Sequence, residues 1–180
     1  MSEAGDETLV RACLAGDRRA FEQLLLRYEK PVYNVALRML RTPEDAQDIT
    51  QTVFLKAFEN LATYDVSHKF YSWIYRIAVN ESINALRRKD RQADPLGDHH
   101  AAPGPGPATA ADTAQTDVRI QSAIAGLSTE YRTVIVLKYF VECSYAEISE
   151  ILEIEEKTVK SRLFTARQRL KDLLAAQGVV

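Results

Sequence analysis

SYAEISEILEIEEKTVKSRLFTARQRLKDLL, Ser144 to Leu174, is the stretch whose reading decides the fold. Ser144 followed by Glu147 is a capping box: the serine side chain accepts the third helical N–H while the glutamate reaches back to the cap. Ile148, Ile151 and Leu152 mark one apolar face, the periodicity breaks at Glu153 to Glu155, and a second helix begins. Its inward stripe is Val159, Leu163, Ala166, Leu170 and Leu174, close to a three-four repeat. Two short helices joined by a tight break predict a helix-turn-helix. Charge divides the two. Glu142 to Glu156 holds six acidic residues and no basic one, whereas Lys160 to Lys171 holds Lys160, Arg162, Arg167, Arg169 and Lys171 and no acidic one. The second helix is therefore the one a phosphate backbone attracts. Taken alone, the stretch leaves open a helical hairpin with a solvated basic face.

At 180 residues the chain is one domain or two small ones, and 46% hydrophobic content is enough for a core. The net charge of −2 is informative, because a protein that grips DNA unaided usually carries a positive excess. Weak DNA binding in isolation, or a helper that supplies affinity, is expected. Cys13 and Cys143 lack further ligands at metal spacing, so neither zinc nor a disulfide is expected, and both read as small core residues. The start MSEAGDE has no basic region or apolar run of a signal peptide, and no segment approaches the roughly 18 apolar residues of a membrane span. A cytoplasmic protein without a membrane segment of its own is expected.

Working outward, Gln92 to Thr116 is rich in Pro, Gly and Ala, has no basic residue and lacks apolar periodicity. It reads as a flexible linker between residues 1–91 and 117–180. Adjacent His99 and His100 within it read as solvated. The first domain reads as all helix: Glu7 to Ala15, a break and cap at Gly16-Asp17, and Arg18 to Glu29 with Phe21, Leu24, Leu25 and Tyr28 on one face. Pro31 predicts a boundary or kink, after which Val32, Val35, Ala36, Met39 and Leu40 continue the stripe. Thr42-Pro43-Glu44-Asp45 is a helix start, and that helix runs to about Leu61 with Ile49, Val53, Phe54, Ala57, Phe58 and Leu61 inward. Thr63 to Lys69 reads as a loop, and Phe70 to about Arg88 as a helix burying Trp73, Ile74, Ile77, Ala78 and Leu86. Beyond the linker, helices are expected near Asp117 to Ala125 and, after the start signal Leu127 to Glu130, over Tyr131 to Val141. The fold class is thus all-α, with two small helical domains.

No glycine-rich phosphate loop, zinc-spaced His–carboxylate pair or nucleophile elbow is present, so neither catalysis, a cofactor nor a small-molecule substrate is expected. The chemistry lies in Tyr64 to Arg91, where Tyr64, Phe70, Tyr71, Trp73 and Tyr75 interleave with Lys69, Arg76 and Arg87-Arg88-Lys89. Trp73 shares a face with Ile77 and reads as core. Tyr71 and Tyr75 fall elsewhere on the wheel, and exposed rings beside cations suit unstacked bases. Asn80 and Asn84 add amides able to read a base edge. A loop with incidental aromatics is the competing reading of this stretch alone.

Four segments in this order resemble an extracytoplasmic-function (group four) bacterial sigma factor. DAQDITQTVFLKAFENL is similar to the polymerase-binding helix of that family, and KFYSWIYRIAVNESINALRRKDR to its promoter-melting and minus-ten-reading segment. LSTEYRTVIVLKYF resembles the start of its second domain. SYAEISEILEIEEKTVKSRLFTARQRL resembles its minus-thirty-five reader, most tightly at Thr158 to Arg162. The resemblance implies a dissociable subunit of RNA polymerase, typically held by an anti-sigma factor. It places Asp45, Asp48, Gln51, Phe54, Leu55 and Lys56 against core RNA polymerase. It assigns Lys69, Phe70, Tyr71, Tyr75, Arg76, Asn80, Asn84, Arg87 and Arg88 to melting and reading the minus-ten strand of promoter DNA. It assigns Lys138, Thr158, Lys160, Ser161, Arg162, Phe164, Thr165 and Arg167 to the minus-thirty-five duplex.

Several positions depart from the family pattern. Ser149 replaces a small Ala, Glu153 a usual Gly, and Glu155 and Lys157 a frequent Pro and Gly; Tyr71 takes a commonly basic position and Asn84 a commonly acidic one. If the turn needs a left-handed residue, Glu153 costs on the order of 1 kcal/mol. The promoter elements lie roughly 60 Å apart. A 25-residue linker reaches about 25–30 Å as a coil and about 85 Å extended, so it spans them only when held extended. In the free chain the domains either tumble semi-independently or pack on each other. The rival readings are a dimeric helix-turn-helix regulator, for which no dimerising segment is evident, and a helical protein-interaction module, which leaves the split charge unexplained.

Overall fold

The structure, a computed structural model, describes residues 4–92 and 111–177, the side chains of 111–116 excepted. Most of the expected linker, with His99 and His100, lies outside the described residues. The order is α1 (Asp6–Leu14), α2 (Arg18–Leu40), α3 (Pro43–Asn60), a 3-10 turn (Leu61–Thr63), α4 (Phe70–Gln92), α5 (Ala111–Ala125), α6 (Thr129–Tyr139), α7 (Tyr145–Leu152) and α8 (Glu156–Ala176). Among the described residues there is no strand, and no helix is long and apolar enough to cross a membrane.

Local chemistry accounts for the boundaries. α1 stops where Gly16 takes φ 96°, a conformation that costs glycine little, and Asp17 caps α2 by accepting the Arg19 N–H at 2.9 Å. Pro31 neither ends nor separates α2, which runs through it as one helix. Pro31 withdraws a backbone donor, and the burial of Tyr28, Val32, Val35 and Ala36 around it offsets that loss. At α3 the sequence signal gives the correct start, but Thr42 caps differently. Its hydroxyl donates to the Asp45 carboxylate and accepts no helical N–H.

In the first half α2 is the central element, packed by α1, α3 and α4 around Leu24, Val32, Met39, Val53 and Ile74. In the second half Ile124, Val134, Leu137, Ile148, Ile151, Val159, Leu163 and Ala166 form the core under the helix-turn-helix. Leu170, expected in the inward stripe, is half-buried and packs against the edge of this core. The Ser144–Glu147 capping box forms as the sequence predicts.

The two halves pack on each other, α2 against α5 and α6, and α4 against α7. Arg132 of α6 sends one guanidinium N–H to the carbonyl of Met39 at 2.6 Å and others to those of Ala125 and Leu127. Met39 lies in the last turn of α2, where carbonyls lack helical partners, so a cation from the other half satisfies one of them. Arg38 lies 3.6 Å over the ring of Phe140. Of the two arrangements the sequence leaves open for the free chain, this is the packed one.

Candidate polymerase and nucleic-acid interface

On α3, Asp48, Gln51 and Leu55 are exposed at helical spacing along one outward strip. Asp45 stands at its start, ion-paired with Lys89 of α4. Leu55 and Phe58 are 59% and 58% exposed, a pair of large apolar side chains in water. Phe58, inward by its spacing, meets Phe21 edge-on at 5.1 Å and leaves most of its ring outside. Phe54, inward by its spacing and placed against polymerase only by the family resemblance, is buried among the core residues of α3. Lys56 faces α4 and holds Glu81 at 2.6 Å.

α4 carries the aromatic-basic segment. Asn80, Asn84, Arg87 and Arg88 are exposed, and the last three line a groove of about 680 Å³ with Lys56, Glu81, Asp90 and Arg91. Cations concentrated along one groove suit a phosphate backbone. Two aromatics depart from the expectation of open rings. Phe70 is buried against Tyr28, Tyr64 and Trp73 at 5.4–5.7 Å. Tyr75 is buried as well, and burial pushes its phenol up to about 12. A helical wheel drawn for one domain puts Tyr75 off the core face, but the second half covers that side. Tyr75 lines a cavity of about 250 Å³ between the halves with Pro31, Asn34, Val35, Phe140 and Val141.

The first turns of α4 meet α7. Tyr71 donates its hydroxyl to Glu147, and Lys69 Nζ lies 3.3 Å from the same carboxylate. Ser72 Oγ donates to Glu150 at 3.1 Å, and His68 Nδ1 lies 2.9 Å from that carboxylate's other oxygen. Arg76 donates to the Glu153 side chain and to the Glu150 carbonyl, both at 2.8 Å. The Tyr71 hydroxyl, followed by the Ser144 N–H, holds the Glu147 carboxyl down at about 2. Nothing in the sequence pairs residues nearly 80 positions apart, so these contacts could not be read from it.

On α8, Lys160, Ser161, Phe164 and Arg167 are exposed, and Thr158, Arg162 and Thr165 half-buried. Arg162 pairs with Glu130 at 3.2 Å and Lys160 with Glu156 at 3.3 Å. Phe164, 60% exposed on a basic helix, offers an apolar surface of the kind that meets a thymine methyl. Lys138 is turned inward, donating to the Cys143 carbonyl at 3.0 Å near the ring of Tyr145. The Cys143 thiol, pushed up to about 11 by burial, has no thiolate character. The turn between the helices is left-handed at Glu153, with φ 54° and ψ 42°.

Residues 24–92 match the model of sigma-70 region 2, and residues 117–170 that of sigma-70 region 4. A Bacillus subtilis protein, the ECF RNA polymerase sigma factor SigW, is 36% identical over 88% of this chain and 91% of its own length. The chain belongs to the extracytoplasmic-function sigma factor family. The fold agrees. A structure of CnrH in complex with the cytosolic domain of CnrY matches this sigma factor with a TM-score of 0.75 at 27% identity, over 95% of this chain and 97% of that one. A structure of the sigma factor RpoE with the anti-sigma factor NepR from Bartonella quintana gives 0.71 at 25% identity, over 86% and 96%. As a sigma factor, the chain is a transcription initiation protein, and its two matched regions are the two helical halves described above.

Proposed function

We propose that this is a group four sigma factor that binds core RNA polymerase, directs it to a small promoter set and helps melt the minus-ten region. The observation that carries this reading is the coexistence of two unlike nucleic-acid faces on one chain: exposed amides and arginines on α4, and an exposed basic helix in a helix-turn-helix. Residues 1–91 and 117–180 are the working units, joined by 92–116.

The strip Asp45, Asp48, Gln51, Leu55 and Phe58 meets polymerase, with Leu55 and Phe58 as the apolar anchors that exposed pairs of this kind provide. Phe54 acts from beneath by fixing the strip, and Lys56 by tying α3 to α4. Lys69, Tyr71, Arg76, Asn80, Asn84, Arg87 and Arg88 take the melted strand, while Phe70 and Tyr75 shape the helix that presents them. Thr158, Lys160, Ser161, Arg162, Phe164, Thr165 and Arg167 take the duplex, since the first turns of a recognition helix meet base edges and flanking groups hold phosphates. Lys138 positions the α6–α7 connection.

The protein uses no cofactor, catalyses nothing itself and works in the cytoplasm, and an anti-sigma factor restrains it. Permanganate footprinting of promoter complexes tests the melting role. Tyr71→Ala with Asn80→Ala should abolish opening more than closed-complex formation; equal loss of both would count against it.

A further inference from the structure

In the helix-turn-helix, α8 is the basic element, and α7 carries Glu147 and Glu150 with Glu153 at its C-terminal cap. Spaced three apart, these carboxylates form one ridge. A first helix that crosses a phosphate backbone is poorly served by such a ridge, since like charge repels. The ridge has another occupant. Lys69, just before α4, and Ser72 and Arg76 on it form a matching stripe, and every carboxylate of the ridge is engaged by that stripe or by its neighbours Tyr71 and His68. α8, in contrast, keeps Lys160, Ser161, Phe164 and Arg167 exposed in the same arrangement.

We propose that α7 is a built-in anion that masks the start of the minus-ten reader in the free chain while leaving the minus-thirty-five reader open. This rests on the sigma reading of α4 and α8. The carboxylates occupy cations and hydroxyls at the start of the reader that a single strand would use, so the free protein engages duplex through α8 and takes up single strand more tightly once the halves separate. The closure is fit to open. The ion pairs of Lys69 with Glu147 and of Arg76 with Glu153 are partly solvent-exposed, and the buried Nε atoms of Arg76 and Arg132 at the junction have no hydrogen-bond partner among the described residues. Unpaired buried donors lower the stability of the closed arrangement.

The test uses the full chain with Glu147→Gln, Glu150→Gln and Glu153→Gln together. Glutamine preserves the capping box and the turn while removing the charge. A charge-matched control carries Glu22→Gln, Glu29→Gln and Glu59→Gln, exposed positions away from the junction. Fluorescence anisotropy reads binding of labelled 20-nucleotide oligo(dT) and of a labelled mixed-sequence duplex of equal length. Half-exposed ion pairs are each worth up to a few-fold, so releasing three should tighten single-strand binding on the order of tenfold over wild type. The control should gain only the few-fold that net charge gives, and both variants should change alike on duplex. The mask is overturned if the junction variant tracks the control on both probes, or if wild type already binds oligo(dT) as tightly as the variant. Run-off transcription with core polymerase separates the two readings: a specific start without a single-strand gain removes the mask and keeps the sigma reading, and no start removes the sigma reading.

Discussion

Glu153 and Glu147 show how single side chains set the geometry of the reader. Glu153 holds φ 54° where the family pattern has glycine, and its side chain pairs with Arg76 while 71% exposed. A left-handed β-branched residue is worse than a left-handed glutamate. Glu153→Val should therefore lower stability by about 1–2 kcal/mol, and Glu153→Gly should not, because relief of strain offsets the lost exposed pair. Urea denaturation of the two variants measures the difference. Glu147 is a proton-linked contact. Its carboxyl is depressed from 4.5 to about 2, first by the Tyr71 hydroxyl and then by the Ser144 N–H. Its contribution is therefore complete above its unfolded value and is lost as pH falls through the folded one. Tyr71→Phe should raise the Glu147 pKa toward the ordinary range in an NMR titration of the side-chain carboxyl; an unchanged value would remove Tyr71 as the cause.

At the scale of elements, α8 should behave as a duplex reader whose charges act one by one. Lys160→Ala or Arg167→Ala should weaken duplex binding at every sequence and reduce the slope of log affinity against log salt by about 1 each, read by titrations at several salt concentrations. The helices themselves were legible because their signals are local. The capping box at Ser144, the Gly16-Asp17 break and the Pro43 start each depend on neighbours within four residues. Of the boundary or kink that Pro31 predicts, the boundary does not occur, since propensity reports a cost but not the burial around Val32 and Val35 that offsets it. The candidate site was half legible. The basic and acidic blocks, Asn80, Asn84, and the strip from Asp48 to Leu55 lie on the surface as read. Tyr75 and Phe58 lie on the opposite side from the one their spacing gives, because a wheel gives the spacing of a face and not what covers it; Phe54 is inward as its spacing predicts, and only the family resemblance puts it and Phe70 at a surface. The α4–α7 pairing left no trace, as charge complementarity between distant segments has no period.

For the whole molecule, Arg132 is the fastener between halves. Its half-buried guanidinium, with a pKa lowered by desolvation, reaches Met39 across the junction and Ala125 and Leu127 on its own side. Arg132→Met strands carbonyls and should cost about 1–3 kcal/mol, with a larger radius of gyration in small-angle scattering. Arg132→Lys should recover little, because an ammonium cannot fork to three carbonyls in fixed directions. The near-neutral charge of the chain fits the same picture: acids of one half are spent on cations of the other until a larger partner draws them apart. The most direct measurement of the central claim is run-off transcription with purified core polymerase on pooled genomic fragments. The account predicts discrete start sites that depend on this chain and vanish with Asp48→Ala and Leu55→Ala together. A chain that neither binds core polymerase nor directs a specific start would contradict it.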